Sequence, residues 1–398
     1  MTNAAKPIIV AGHICLDVIP AFEGREVADL GDILKPGTLV KTGPAVISTG
    51  GAVANTGLAL HKLGYPVRLL GSAGQDAFGA AIRNILGAID PALEASMMTA
   101  REGSTSYTVV VSLPGLDRMF LHHPGTNDTF AVEDVLDSRL EGASALHFGY
   151  PTLMRRVFLD GGKGLRELFE RARAKGLATS LDVSMPDPES EAGRVDWKAF
   201  LREVLPAVDV FLPSYDELSY MLDGKAGLGK PPDGARLRKV AEWLLEAGVS
   251  AAAVKLGEQG LYLATAAEVG RFGWVESLGG DAAKWAGREL HAQCFKTRVA
   301  GTTGAGDCTI AGFLAAASEG KGPEETLRFA NATGAFCVEA PDATGGIRPR
   351  TEVLARLEEG WDNLPCGLRL EGWVPPATAG IRRGVHDSQT TGKEASKP

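Results

Sequence analysis

Long hydrophobic runs are missing from this sequence of 398 residues: no stretch approaches the roughly 18 to 20 apolar positions that a membrane-spanning helix needs, which excludes a helical membrane protein. Cysteine is scarce. Cys15, Cys294, Cys308, Cys337 and Cys366 form no Cys-x-x-C pair and show no metal-ligand spacing with histidine, so a disulfide scaffold and a zinc module are both excluded. Their odd number and scatter fit a reducing compartment, with most of them buried. A basic excess is missing as well: 41 Lys and Arg face 49 Asp and Glu, a formal net charge of -8, whereas general nucleic-acid binding needs a basic surface. The N-terminus, MTNAAKPIIVAGHICLDVIP, holds one lysine and a short apolar run broken by Gly12 and Asp17. It reads as a first strand rather than a signal peptide, and cytoplasm is the expected location. No repeat of solenoid length is present. What remains, 44% hydrophobic and 23% charged, is an ordinary globular composition with enough length for one large α/β domain or two small ones.

The stretch that organises the chain is residues 299–317, VAGTTGAGDCTIAGFLAAA. It reads as a strand end, a glycine-rich turn, and a helix whose apolar residues Ile310, Phe313, Leu314 and Ala317 recur at i, i+3, i+4 and i+7. Unpaired backbone N–H groups and the positive end of the helix dipole make such a turn an anion site. Gly304 and Gly306, with Ala305 between them, let those groups approach a phosphate without obstruction. Asp307 in the first helical turn would repel that phosphate, unless it takes a proton from an attacking hydroxyl. This arrangement suits a phosphotransferase acting on an alcohol. Two plainer explanations apply to the stretch by itself: Asp in a first turn complements the dipole, and Gly-x-Gly turns open many dinucleotide-binding helices. The dinucleotide fingerprint is incomplete here, with Thr309 where a third glycine belongs, and no Gly-Lys-Ser/Thr of a Walker loop follows the turn.

Short apolar runs at residues 8–11, 67–72, 145–149, 178–183, 208–212 and 251–256 alternate with helical patterns, which predicts βαβ crossovers and a largely parallel, doubly wound sheet. Asp17 is placed at the end of the first strand, where such sheets present ligand-binding groups; a turn-capping Asp is the alternative. Residues 22–49 are glycine-rich and end in a β-type run, and residues 104–113 and 118–122 read as a hairpin turned by Pro114 and Gly115. Gly50 and Gly51 precede a helix that stops at Gly64; they would admit a substrate against backbone, with Asn55 facing the same pocket, or simply serve helix packing. His122 and His123 point to opposite faces of a strand, so a shared metal is excluded. In LPSYDEL, residues 212–218, Asp216 and Glu217 open a helix at the sheet edge, where a carboxylate could orient water around Mg2+ or merely complement the dipole. Lys255, Gly257 and Gly260 form a strand-ending turn that a nucleotide could approach. Residues 265–293, with Trp274 and Trp285 in polar surroundings, suggest no function, and the final residues are expected to be disordered.

GTTGAGDCTIAGF, residues 301–313, resembles the C-terminal signature of the ribokinase family, the PfkB-type carbohydrate kinases. Other pieces match in the same order across residues 8–350: Gly12 to Asp17, the Gly50-Gly51-x-x-x-Asn55 sugar signature, Pro124-Gly125-x-Asn127, and the turn from Lys255 to Gly260. The resemblance implies a ribokinase-like domain over residues 1–365, with a β-lid from about 20–49 and 104–126 that sometimes forms a dimer contact, and an extension over 366–398. It implies Asp307 as catalytic base with residues 304–306 as anion hole, and Asp17, Gly50, Gly51 and Asn55 on the acceptor. It also implies Lys255, Gly257, Gly260, Thr302 and Asn331 near ATP, and Glu217 governing Mg2+. Two departures are visible: Gly301 replaces the usual Asp of the monovalent-cation site, and Ser214 replaces an Asn. The expected activity is ATP-dependent phosphorylation of a sugar-like hydroxyl. Rivals are a nucleoside kinase, for which Phe22 and Tyr107 are the aromatic candidates, and a phosphosugar kinase using Arg25, Lys35, Lys41 and Arg118. A catalytically silent binder and an NAD-dependent oxidoreductase are more distant.

Overall fold

The computed structural model describes residues 5–22, 29, 31, 33, 35–113, 116, 119–378 and 380–389. Arg25, Arg118, the turn at Pro114 and Gly115, and residues 390–398 of the tail lie outside that set.

The six expected apolar strands all form, because each is a continuous run that a sheet covered on both faces can bury. They lie side by side in the order Val67–Leu70, Ile8–Gly12, Ala145–Gly149, Ala178–Leu181, Val210–Phe211, Ala251–Lys255, all paired in parallel. Four antiparallel strands extend the sheet to ten: Leu261–Thr265, Glu289–Ala292, Ile381–Arg383 and Val374–Thr378. Side chains alternate across the sheet. Ile8 and Val10 join one core with the helices Ala52–Lys62, Ala305–Ser318 and Pro323–Cys337, whereas Ile9 and Ala11 join a second core with the helices Lys163–Ala174, Trp197–Val204 and Gly234–Glu246.

The strand Ile8–Gly12 has Val67–Leu70, the next strand of this sheet along the chain, on one side and Ala145–Gly149 on the other, so the strand order reverses between Gly12 and Gly149, which are register partners. Ligands of open α/β sheets bind outside the carboxyl ends at such a switch point. Here the two backbones nearly touch: Gly12 has φ +119°, and a Cβ on it would lie 2.2 Å from the Gly149 carbonyl oxygen.

That approach corrects the placement of Asp17. The chain breaks after Gly12 and starts a second strand, Cys15–Ile19, with Asp17 at its middle instead of at the edge of the main sheet. This strand belongs to the lid, a separate sheet in the order Val46–Gly50, Cys15–Ile19, Tyr107–Val111, Met119–His123. Both expected lid regions contribute strands: among the described residues, the first does so through Val46–Gly50 and the second through Tyr107–Val111 and Met119–His123.

Trp274 and Trp285 are not in polar surroundings. Their rings pack edge to face at 5.2 Å, and Trp285 meets Phe313 at 6.0 Å, so residues 265–293 buttress the helix that carries Asp307. Past residue 365, Trp373 and Ile381 are buried, and the strand pair 374–378 and 381–383 completes one sheet edge. Asp387 is fully buried and accepts from Arg288 Nε at 2.9 Å. Among the described residues, no helix is long and apolar enough to cross a membrane.

Candidate active site

The site grows from the helix Ala305–Ser318. Gly304 caps its N-terminus at φ 75°, a left-handed conformation that glycine adopts without penalty, and the Ala343 carbonyl oxygen would lie 2.5 Å from a Cβ there. The expected apolar stripe of Ile310, Phe313, Leu314 and Ala317 is buried. Asp307 is 3% exposed. Its Oδ2 accepts from Asn55 Nδ2 at 2.9 Å, and the Tyr150 hydroxyl donates to both of its oxygens, at 2.8 and 2.9 Å. Burial raises the Asp307 carboxyl above its ordinary value, while Asn55, Lys255 and Tyr150 pull it back toward the charged form.

On one side of Asp307 lies an ion cluster. Lys255 leaves the end of its strand and donates to Asp182 Oδ1 at 2.8 Å, and its ammonium is 3.5 Å from where a Cβ of Gly306 would stand. The lysine therefore faces the first turn of the Asp307 helix. Burial presses it toward neutrality, but Asp182 and Glu217 outweigh burial and hold it above its usual value. Burial raises the Asp182 and Glu217 carboxyls, against the pull of Lys255. Glu217 and Ser214 form a reciprocal cap: the Ser214 amide donates to Glu217 Oε2 at 2.7 Å and the Glu217 amide donates to Ser214 Oγ at 3.3 Å. Ser214 thus spends its oxygen on the helix start.

On the other side the lid closes over the chain reversal. Asn127 brackets Ile14, accepting from its amide at 3.2 Å and donating to its carbonyl at 2.9 Å, which fixes the loop that carries His13. Gly50 and Gly51 leave room for side chains: added Cβ atoms would lie 2.2 Å from Asp17 Oδ2 and 2.4 Å from His13 Nδ1. The space beside the paired glycines is therefore filled by His13 and Asp17 rather than being open backbone. Cys15 Sγ donates to Asp17 Oδ1 at 3.3 Å, and burial raises the Asp17 carboxyl. His122 and His123 do point to opposite faces: His122 Nδ1 meets Thr108 Oγ1 at 3.0 Å under the lid, and His123 Nε2 meets Ser104 Oγ at 2.8 Å.

The remaining expected residues are more dispersed. Gly257 and Gly260 adopt φ 59° and 102° in the turn between their strands, and Gly260 sits so near the Ala292 carbonyl that no Cβ fits. Thr302 is exposed before the helix, where its carbonyl accepts from the Ala305 amide at 3.2 Å. Asn331 is buried and directs its amide hydrogens at the carbonyls of Ala292 and Gln293, which ties its helix to the neighbouring strand. At Gly301 an added Cβ would lie 2.9 Å from the Pro341 carbonyl oxygen.

Three residues escaped the sequence reading: Tyr150, Asp182 and His13. Each follows or closes a parallel strand at its carboxyl end, and that position is the only signal the sequence held. Tyr150 takes φ 63°, the left-handed region, the only non-glycine among the described residues to do so. This conformation turns its hydroxyl onto Asp307.

A buried carboxylate at a glycine-capped helix start, with a lysine at the same turn and a lid over the switch point, defines an α/β enzyme that moves an anionic group onto a hydroxyl. The chain belongs to the pfkB family of carbohydrate kinases: residues 6–349 match the family described as "pfkB family carbohydrate kinase". An uncharacterized sugar kinase of Archaeoglobus fulgidus is 27% identical over 235 residues, 59% of this chain and 76% of that one. Among solved structures, the ribokinase of Arabidopsis thaliana complexed with ribose and ATP aligns at TM-score 0.66 and 22% identity, covering 89% of this chain and 99% of its own. A nucleoside kinase of Methanocaldococcus jannaschii, a member of the ribokinase family, aligns at 0.61 and 19%, covering 90% and 100%. The ribokinase-like doubly wound fold, with a mostly parallel sheet flanked by helices, is therefore the fold of this chain.

Proposed function

We propose that this carbohydrate kinase transfers the γ-phosphoryl group of ATP to a hydroxyl of a sugar or sugar-like acceptor, with Asp307 as the general base. The observation that carries this reading is the Asp307 cluster: one carboxylate, buried, fixed by Asn55 and Tyr150, and set at a helix start facing Lys255. Asp307 accepts the proton as the acceptor oxygen attacks. The backbone N–H groups of 304–307 and the Lys255 ammonium take up charge on the phosphoryl oxygens. Asp17, Gly50, Gly51 and Asn55 shape the acceptor side; Gly257, Gly260, Thr302 and Asn331 border the nucleotide side. Glu217, a buried carboxylate beside Lys255 and Asp182, would be the protein carboxylate for an Mg2+ held mainly by phosphates and water. When bound, that ion neutralises phosphate charge.

Tyr107 packs against Phe78 at 5.0 Å and His123 at 5.4 Å, so its ring is already engaged, which favours a sugar over a nucleoside. The test is coupled ADP release with Mg-ATP across aldoses, ketoses, sugar acids, sugar phosphates, cyclitols and nucleosides, with Asp307→Asn as control. An acceptor-dependent rate that the substitution abolishes supports the reading; a rate that survives it overturns the base assignment.

The lid leaves Val46, Ile47, Phe120 and Leu121 each more than half exposed. We infer a homodimer through these strands. Sedimentation should give a dimer that Phe120→Asp dissociates, and a monomeric wild type would reject it.

A further inference from the structure

His13 is the anomaly of the acceptor side. Its backbone is pinned on every side: its amide donates to the Gly149 carbonyl at 3.2 Å, its carbonyl accepts from the Val53 amide at 3.1 Å, and Asn127 clamps the next residue. Its ring is equally confined, 3% exposed, with Gly51 conserving space beside Nδ1, the Tyr150 ring 6.1 Å away and the His122 ring 5.5 Å away. Yet neither Nδ1 nor Nε2 has a hydrogen-bond partner in the protein. A buried polar atom without a partner is costly, and proteins leave few of them. Two on one rigid ring, between the residue that holds the base and the lid, mark a position built for something that arrives.

We propose that His13 is an acceptor-binding residue, and that the acceptor is an uncharged polyhydroxyl compound, a sugar or cyclitol with no carboxylate or phosphate on the part that enters under the lid. The proposal rests on the kinase reading above. A neutral imidazole offers one donor and one acceptor, which matches two neighbouring hydroxyls, one accepting from the ring N–H and one donating to the bare nitrogen. The ring stays neutral: burial, with His122 beside it, holds its pKa down at about 3. His122 is lowered too, by burial and then by His123. With Thr108, Cys15 and Asp17 completing the surroundings and Asp307 bonded to Tyr150, the described side chains offer hydroxyl-matching groups and two carboxyls that would repel an anionic acceptor.

Two substitutions and one panel test this. His13→Leu removes the unpartnered nitrogens, and the apo protein should melt a few degrees higher, as follows from removing an unsatisfied buried group. Its acceptor KM should rise at least about 30-fold, on the order of two lost hydrogen bonds, with ATP affinity unchanged. His13→Gln, whose amide both donates and accepts, should recover part of the KM. An acceptor KM within about twofold of wild type in both variants overturns the assignment of His13, whatever the melting temperature does. Turnover by wild type only with sugar acids or sugar phosphates, or with none of the uncharged compounds, overturns the acceptor class. Loss of turnover in Asp307→Asn is independent of both results, so failure of this proposal and failure of the kinase reading are separable.

Discussion

On the phosphate side of Asp307 the charged groups are paired with one another, and on the acceptor side one buried ring, that of His13, faces its neighbours without pairing. Lys255 is bound to Asp182 and held by Glu217. His13 and His122 meet ring to ring, with neither nitrogen of His13 engaged. The two sides share a boundary, the Asp307 carboxylate, which accepts from Asn55 and Tyr150. The difference follows from what each side receives. An ion cluster buried in a protein must balance its own charge before any ligand comes, whereas a site for neutral hydroxyls can leave single donors and acceptors waiting at a modest cost each. The phosphate side is thus self-sufficient, and the acceptor side is complete only with its ligand.

The boundary itself gives the largest effect. Asp307→Asn keeps the shape of the side chain but removes the base, and turnover should fall about 10² to 10⁴-fold, with nucleotide binding retained. Steady-state rates and nucleotide titration check this. The paired side comes next. Lys255→Ala leaves Asp182, itself 1% exposed in its side chain, buried without its cation. Unfolding should cost about 3 to 5 kcal/mol less, measured by denaturant titration. A loss under about 1 kcal/mol, the range of exposed pairs, would show that the cluster is not the balanced unit described here.

Tyr150 sharpens the boundary through pH. Asp307 works only when ionised, and its folded value lies above the ordinary 3.8 because of burial. Activity therefore falls as pH drops through that raised value. The Tyr150 hydroxyl favours the charged carboxylate, so Tyr150→Phe should raise the Asp307 value further and move the acid limb of kcat/KM to higher pH, by about one unit if the lost bond is worth ~1.4 kcal/mol. An acid limb that stays in place would make Tyr150 a packing residue only.

The same contrast separates what the sequence disclosed from what it hid. The six apolar strands and the helix after Gly304 were legible because each is a run with a period, and the glycine turn with Asp307 was legible because its spacing has a chemical reason. Tyr150, Asp182 and His13 are single residues at strand ends, and nothing in their neighbours announces them. Asp17 was assigned to the wrong strand because the break after Gly12 comes from contact with Gly149, distant in sequence. The strand Val374–Thr378 contains Pro375 and Pro376, which argue against a strand, and it forms because it is the outermost one. Trp274 and Trp285 stand among polar residues in the sequence, yet they fold onto each other, and Trp285 onto Phe313.

The smallest effect is an expected indifference. If the phosphate side is complete in itself, it has no need of a monovalent cation to set the turn before the Asp307 helix. Gly301 carries no carboxylate to hold one, and the Pro341 carbonyl oxygen, 2.9 Å from an added Cβ, and that of Ala340, 3.1 Å away, leave no space for a longer side chain without moving backbone. Lys255, facing the first turn beside Gly306, already supplies a fixed positive charge there. Replacing K+ by tetramethylammonium at constant ionic strength should therefore change kcat by less than about twofold, under ~0.4 kcal/mol of barrier. The substitution Gly301→Asp should lower stability rather than confer activation by K+. Strong stimulation of the wild type by K+ would mean that the ion cluster does not suffice to set the turn, and the division between a self-sufficient side and a waiting side would have to be redrawn around a bound cation.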